Sequence, residues 1–127
     1  MAELLDNEII KAEMLQRFID GYGFKELETT EIAEAHGWTI EPDNIYQIGT
    51  KIALIQSEVS EALEALREGN PKSEKIPEFS LLEEELADVV LRIMHLSYRM
   101  KLRIPEAMIE KDNYNKNRPH KHGGKLF

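Results

Sequence analysis

The sequence contains no cysteine, which excludes disulfide bonds and thiolate metal ligands and leaves the redox compartment open. It also has no apolar run that approaches the ~20 residues of a transmembrane helix. Its first residues, MAELLDNEII, are acidic and lack the basic start and the small-residue cleavage site of a signal peptide. We therefore expect a cytoplasmic protein with no membrane partner.

Positive charge is scarce as well. The 16 lysines and arginines against 24 acids give a net charge of −8, which argues against a nucleic-acid partner because nucleic-acid binders normally present a basic face. The exception is the stretch KDNYNKNRPHKHGGKLF, which starts at Lys111 and contains a single acid. A basic tail on an acidic body indicates contact with phosphates. The competing interpretation is a disordered end or a purification scar.

What the sequence does contain is typical of one soluble helical domain. It has 127 residues, of which 42% are hydrophobic and 31% charged. Apolar residues recur at helical spacing, and glycines or prolines interrupt the pattern. The predicted helices cover about residues 3–19, 26–36, 45–67, 81–100 and 105–115, with stops at Gly21, Gly23 and Gly37. Ser80, with Glu83 three residues later, is the predicted capping box at the start of the fourth of these helices.

Two of the predicted helices carry acids in matching positions. Glu58 and Glu61 lie three residues apart in SEVSEALEALREG, and Glu85 and Asp88 have the same spacing in EELADVV. Residues three apart project from one face of a helix, so each helix offers a pair of carboxylates. Two facing pairs make an oxygen site suited to Mg²⁺. A dinuclear iron or manganese centre of the bundle type would need Glu-x-x-His, which is not present here.

The surroundings of Glu58 strengthen the metal hypothesis. Helical phase places this carboxylate between Ala62 and Ala65, beside the main apolar stripe of the helix. That stripe comprises Ile52, Ile55, Val59, Ala62, Leu63 and Leu66. An isolated carboxylate in such a place would be costly to desolvate, so it requires a cation. We expect His95, on the second helix, to pack or hydrogen-bond locally.

These motifs resemble those of the MazG-like, all-α nucleoside triphosphate pyrophosphatases, whose mark is E-x-x-E followed by E-x-x-D on the next helix. The resemblance covers roughly residues 30–127 and includes the basic segment KDNYNKNRPHKHGGK. It implies a MazG-like domain over residues 25–127, with a four-helix-bundle core, and an accessory N-terminal helix over residues 1–24. It also implies a homo-oligomer, either a dimer or a tetramer.

The resemblance further implies a hydrolase that cuts between the α- and β-phosphates of a ribo- or deoxyribonucleoside triphosphate, as an enzyme of nucleotide-pool house-cleaning. The four acids would hold Mg²⁺, or Mn²⁺ as a substitute, and a metal-activated water would attack the α-phosphorus. Glu61, and with it Glu58, is the candidate for orienting or deprotonating that water. The residues that match the substrate-contacting segment are Lys111, Asn115, Lys116, Arg118 and Lys125.

The nucleoside pocket is predicted from helical phase and from one aromatic residue. Gln47 and Lys51 share the face of Glu58, one to three turns upstream. Trp38 either fills the core or supplies an indole face for a base. The sequence selects neither base nor sugar. The alternative from another class is a non-catalytic helical protein that senses nucleotide or binds a partner.

Overall fold

The computed structural model describes residues 2–118, and all regular structure in that range is helical. The helices are α1 (Ala2–Ala35), α2 (Ile45–Arg67), α3 (Leu81–Met100) and α4 (Ile104–Lys116). None of these helices combines the length and the apolar composition that crossing a membrane requires. The all-α prediction is confirmed for the described residues.

The N-terminal region forms one helix where the sequence predicts two. Gly21 and Gly23 lie inside α1, so the predicted stop at these glycines is wrong. A glycine inside a helix costs only about 1 kcal/mol relative to alanine, which good helix formers on both sides can offset. The predicted stop at Gly37 is confirmed, because its φ of 87° ends the helix and its N–H donates to the carbonyl oxygen of Glu34.

Side-chain caps fix where α2 and α3 begin. The side-chain oxygen of Asn44 accepts hydrogen bonds from the backbone N–H groups of Tyr46 and Gln47. At α3, Ser80 and Glu83 form a reciprocal capping box, as the sequence predicts. Local sequence therefore fixes the residue at which each of the two acid-bearing helices begins.

The connection between α2 and α3 is tightly hydrogen-bonded despite its polar composition. Asn70, with a φ of 52°, accepts a hydrogen bond from the backbone N–H of Leu82 at 2.9 Å. The N–H of Leu81 donates to the carbonyl oxygen of Pro71 at 2.7 Å. The end of α2 is thus tied to the first turn of α3, which fixes the two helices relative to each other.

The described chain divides into two compact units. One holds the described residues up to Phe24 and from Arg103 onward, including α4. The other, Lys25–Leu102, holds the end of α1 together with α2 and α3, which pack against each other. The core of this second unit consists of Ile40, Ile48 and Leu96, with Ile55 and Met100 packed against it.

This core is smaller than the apolar stripes predict. Ala62 and Ala65 are buried on α2, where their small side chains allow close approach of another helix. Four larger members of the predicted stripe remain about half exposed: Ile52, Val59, Leu63 and Leu66. Leu86 on α3 is 47% exposed. These five residues therefore lie outside the core of the described chain, and the four on α2 form an exposed apolar face.

Candidate metal centre

A cavity of about 420 Å³ lies in the second unit, between the end of α1, helices α2 and α3, and their connection. All four motif acids line it: Glu58, Glu61, Glu85 and Asp88. The rest of the lining is chemically mixed. Apolar groups come from Ile32, Trp38, Ile40 and Leu91, and basic groups from Lys25, Lys51, Lys75 and Arg92.

Three of the four acids converge. Carboxylate oxygens of Glu58, Glu61 and Glu85 lie within 4.8 Å of one another, close enough for one cation to contact all three. Asp88 lines the same cavity but does not belong to this group. The two acids of α2 thus converge with Glu85 of α3, whereas Asp88, the fourth acid of the motif, lies outside this group.

The convergence changes the protonation of Glu85. Burial, together with the neighbouring carboxylates of Glu61 and Glu58, raises the pKa of its carboxyl from 4.5 to about 7. No basic side chain is among the causes that act on Glu85. No positive charge therefore offsets the repulsion at Glu85 itself.

Glu58 has a cationic neighbour that the metal hypothesis did not name. Its Oε1 accepts a hydrogen bond from Arg92 Nε at 3.0 Å and lies 2.8 Å from Arg92 Nη2, and its side chain is only 14% exposed. The need for a cation at this half-buried acid is thus met in part by arginine. Both contacts use one oxygen, so Oε2 lies outside the pair and can serve as a ligand.

Asp88 has a mixed environment. Burial raises the pKa of its carboxyl, as do the carboxylates of Glu58 and Glu84. Lys75 and Arg92 act in the opposite direction by direct charge attraction. Asp88 therefore lies at the border between the acidic cluster and the basic side of the cavity.

A second charged cluster joins α1 to α3 within the same unit. Glu34 makes a two-pronged pair with Arg99, and His95 Nε2 lies 3.1 Å from Glu34 Oε2. The hydrogen bond from Arg99 is the main reason that the pKa of Glu34 is lowered to about 2, and His95 adds to the effect. His95 is buried and also lines the cavity. The burial of His95 agrees with the expectation that it packs, whereas its hydrogen-bond partner, Glu34, is 61 residues away and is not local.

Of the three residues predicted to form the nucleoside pocket, two line the cavity and one does not. Trp38 is 57% exposed and lines the cavity, so it does not fill the core. Lys51 lines the cavity too, with its Nζ 5.7 Å from the centre of the Trp38 ring. Gln47 is not part of the lining; its side-chain oxygen accepts a hydrogen bond from the backbone N–H of Glu41.

The basic substrate segment belongs to the first unit as far as it is described. Lys111 and Arg118 both lie over the ring of Tyr114, with the Lys111 Nζ 4.6 Å from the ring centre. Arg118 also donates to the side-chain oxygen of Asn115 at 3.3 Å. Lys116 ends α4, and Lys125 lies outside the described residues. The contact of this segment with substrate stays a prediction.

Several charged residues of the site were not assigned from sequence. Arg92 gave a usable signal, because it follows Asp88 by four residues on the same helical face. Lys75 gave none, since a lysine in a polar connection is ordinary. Glu34 and Arg99 are 65 residues apart, and no local pattern predicts their pairing.

The chain matches no family model, no curated protein and no solved structure.

Proposed function

We propose that the protein is a Mg²⁺-dependent nucleoside triphosphate pyrophosphohydrolase that converts ribo- or deoxyribonucleoside triphosphates to monophosphate and pyrophosphate. The observation that carries the proposal is the convergence of Glu58, Glu61 and Glu85 within 4.8 Å in a cavity large enough for part of a nucleotide. Like charges at this distance repel each other, so the cluster is most stable with a cation between its members.

The donor set fits Mg²⁺ by its chemistry. It offers only carboxylate oxygens, the hard ligands that Mg²⁺ prefers, and Mn²⁺ accepts the same set. Glu58, Glu61 and Glu85 would hold the ion, with Asp88 as the fourth acid at the edge of the group. When bound, such an ion lowers the pKa of water and neutralises phosphate oxygens.

The proposed reaction is one hydrolytic displacement. The oxygen of a water molecule bonds to the α-phosphorus, and the bond from that phosphorus to the oxygen bridging the β-phosphate breaks. The bridging oxygen keeps the electron pair and leaves with pyrophosphate. A carboxylate takes the proton of the water, and Glu61 or Glu58 is assigned this role because both lie in the cluster.

The nucleoside would occupy the mixed part of the cavity. The exposed indole of Trp38 offers a stacking face, and Ile40 and Leu91 add apolar surface. Lys51, beside the indole, adds positive charge near the sugar. The basic segment with Lys111, Lys116 and Arg118 is proposed to bind phosphates of the substrate, as the family resemblance implies.

Self-association is part of the proposal. The exposed apolar face of Ile52, Val59, Leu63 and Leu66 supports it, because large apolar patches on soluble proteins mark interaction sites. A second copy of the chain is the occupant that the family resemblance implies. Sedimentation equilibrium would report a dimer or a tetramer, and a monomer at micromolar concentration would contradict this part.

The decisive experiment measures pyrophosphate release from the common nucleoside triphosphates, with and without Mg²⁺, and identifies the nucleotide product. We expect Mg²⁺-dependent pyrophosphate and monophosphate in equal amounts. Orthophosphate with diphosphate would show that another bond is cut. Binding of nucleotide without any product would favour the alternative, a non-catalytic nucleotide sensor.

A further inference from the structure

Of the four basic side chains that line the cavity, three already have close partners among the described residues. Lys25 pairs with Glu28 at 2.9 Å, Lys51 lies over Trp38, and Arg92 is bonded to Glu58. Lys75, in contrast, makes no ion pair within 4.0 Å in the described part of the chain. Its ammonium is the cavity's uncommitted positive charge.

The backbone that carries Lys75 is held on both sides. Ser73 is almost fully buried, and its hydroxyl accepts a hydrogen bond from the N–H of Ile76 at 3.0 Å. The N–H of Ser73 donates to the carbonyl oxygen of Phe79 at 2.9 Å. Lys75 therefore lies in a closed turn inside an already fixed connection, so ordering it on binding costs little further backbone entropy.

The position of Lys75 relative to the acids suggests what it binds. It is near enough to Asp88 to act on that carboxylate by charge, yet forms no ion pair with it. A metal ion held by Glu58, Glu61 and Glu85 would neutralise the acids, but a triphosphate brings additional negative charge into the same cavity. A lysine beside the acids can stabilise phosphate oxygens that the metal does not reach.

We propose that Lys75 binds the leaving pyrophosphate group of the metal-bound substrate, because the other three basic side chains of the cavity are already engaged. This assignment rests on the proposed function for the identity of the substrate. It goes beyond it by adding a phosphate-binding residue from the α2–α3 connection, outside both the acidic motifs and the basic C-terminal segment.

The test is calorimetric titration of the full chain with inorganic pyrophosphate in the presence of Mg²⁺. We expect Lys75→Gln to weaken pyrophosphate binding by about five- to tenfold, the effect of losing one charged contact near the surface. Lys75→Arg should restore binding to within about twofold, because it keeps the charge. Lys72→Gln is the matched control, since Lys72 belongs to the same connection but does not line the cavity.

A second titration, with Mg²⁺ alone, separates phosphate binding from a structural role. Lys75→Gln should bind Mg²⁺ at least as tightly as the wild type, because it removes a positive charge next to Asp88. Equal pyrophosphate affinity in Lys75→Gln and Lys72→Gln would overturn the proposal. So would weaker Mg²⁺ binding in Lys75→Gln, or a wild type that does not bind pyrophosphate.

The same variants distinguish this proposal from the proposed function. Normal turnover of nucleoside triphosphates by Lys75→Gln would refute the role of Lys75 and leave the reaction standing. If the protein binds pyrophosphate in a way that depends on Lys75 but hydrolyses no triphosphate, the proposed reaction is refuted and the role of Lys75 stands.

Discussion

Glu85 and Glu34 are two glutamates of the same unit, and their surroundings drive their carboxyl groups in opposite directions. The pKa of Glu85 is raised to about 7 by burial and by two other carboxylates. The pKa of Glu34 is lowered to about 2, chiefly by its hydrogen bond to Arg99. Helix α3 contributes to both clusters: Glu85 itself in its second turn, and Arg99 at its end.

The difference teaches which cluster maintains the fold and which is suited to chemistry. Glu34 has used its oxygens on Arg99 and His95, so it joins α1 to α3 and has little capacity left for a ligand. The charged groups that act on Glu85 are both acids, an arrangement that opposes folding unless protons or a cation are bound. Perturbed carboxyls of the second kind are typical of functional sites.

The largest expected effect is on activity, and it falls on one cluster only. Glu85→Gln should lower kcat/KM by more than about 100-fold, because it removes the negative charge of a metal-binding carboxylate. Glu34→Gln should keep most of the activity. Glu64→Gln, an exposed acid of α2 outside the cavity, is the control and should match the wild type. Similar losses in Glu85→Gln and Glu34→Gln would remove the functional distinction between the clusters.

The next effect is stabilisation by metal. A ligand at 100 times its dissociation constant stabilises a folded protein by about 2.7 kcal/mol if it does not bind the unfolded chain. Mg²⁺ should therefore raise the melting temperature of the wild type, Glu34→Gln and Glu64→Gln alike. Glu58→Gln and Glu85→Gln should show little or no shift in circular-dichroism melts. A normal shift in these two variants would place the metal elsewhere.

The converse change concerns stability without metal. Glu34→Gln should lower the free energy of unfolding by about 1 kcal/mol, the scale of a charged hydrogen-bond network that is partly exposed to solvent. Glu85→Gln should leave stability at pH 8 unchanged or increase it, because it relieves repulsion. Urea unfolding with EDTA present measures both, and Glu31→Gln, an exposed acid of α1, is the control. A destabilised Glu85→Gln would contradict the repulsion.

The smallest effects are the slopes of stability with pH in the metal-free protein. Between pH 4.5 and 7 the folded state holds the Glu85 proton that the unfolded state has lost, so stability should fall as pH rises. Between pH 4.5 and 2 Glu34 binds a proton in the unfolded state but not in the folded state, so stability should fall as pH falls. Each slope should flatten in the corresponding glutamine variant. A slope that survives its own substitution belongs to another group.

How much of the structure was predictable depends on the separation of the residues along the chain. Local rules predicted the Ser80 cap, the Gly37 stop and the face shared by Glu58 and Glu61, because each depends on residues within one turn. They failed at Gly21 and Gly23, where the neighbouring helix formers outweigh two glycines.

Long-range features were not predictable in the same way. The Glu34–Arg99 pair depends on how the end of α1 meets α3, which periodicity does not encode. The exposure of the apolar stripe of α2 could not be predicted, because apolar spacing identifies a face without identifying what covers it. The position of Lys75 depends on the turn around Ser73, and only the folded connection reveals it.

The bonds between Asn70, Pro71 and the first turn of α3 have a consequence for how the site assembles. They close a short loop, so the convergence of Glu58, Glu61 and Glu85 depends on contacts within a single αα-hairpin. Helical hairpins have low contact order, and proteins rich in such local contacts fold fast. We expect Mg²⁺ to speed refolding as well as to stabilise the folded chain, because it relieves the repulsion between these acids as the hairpin closes.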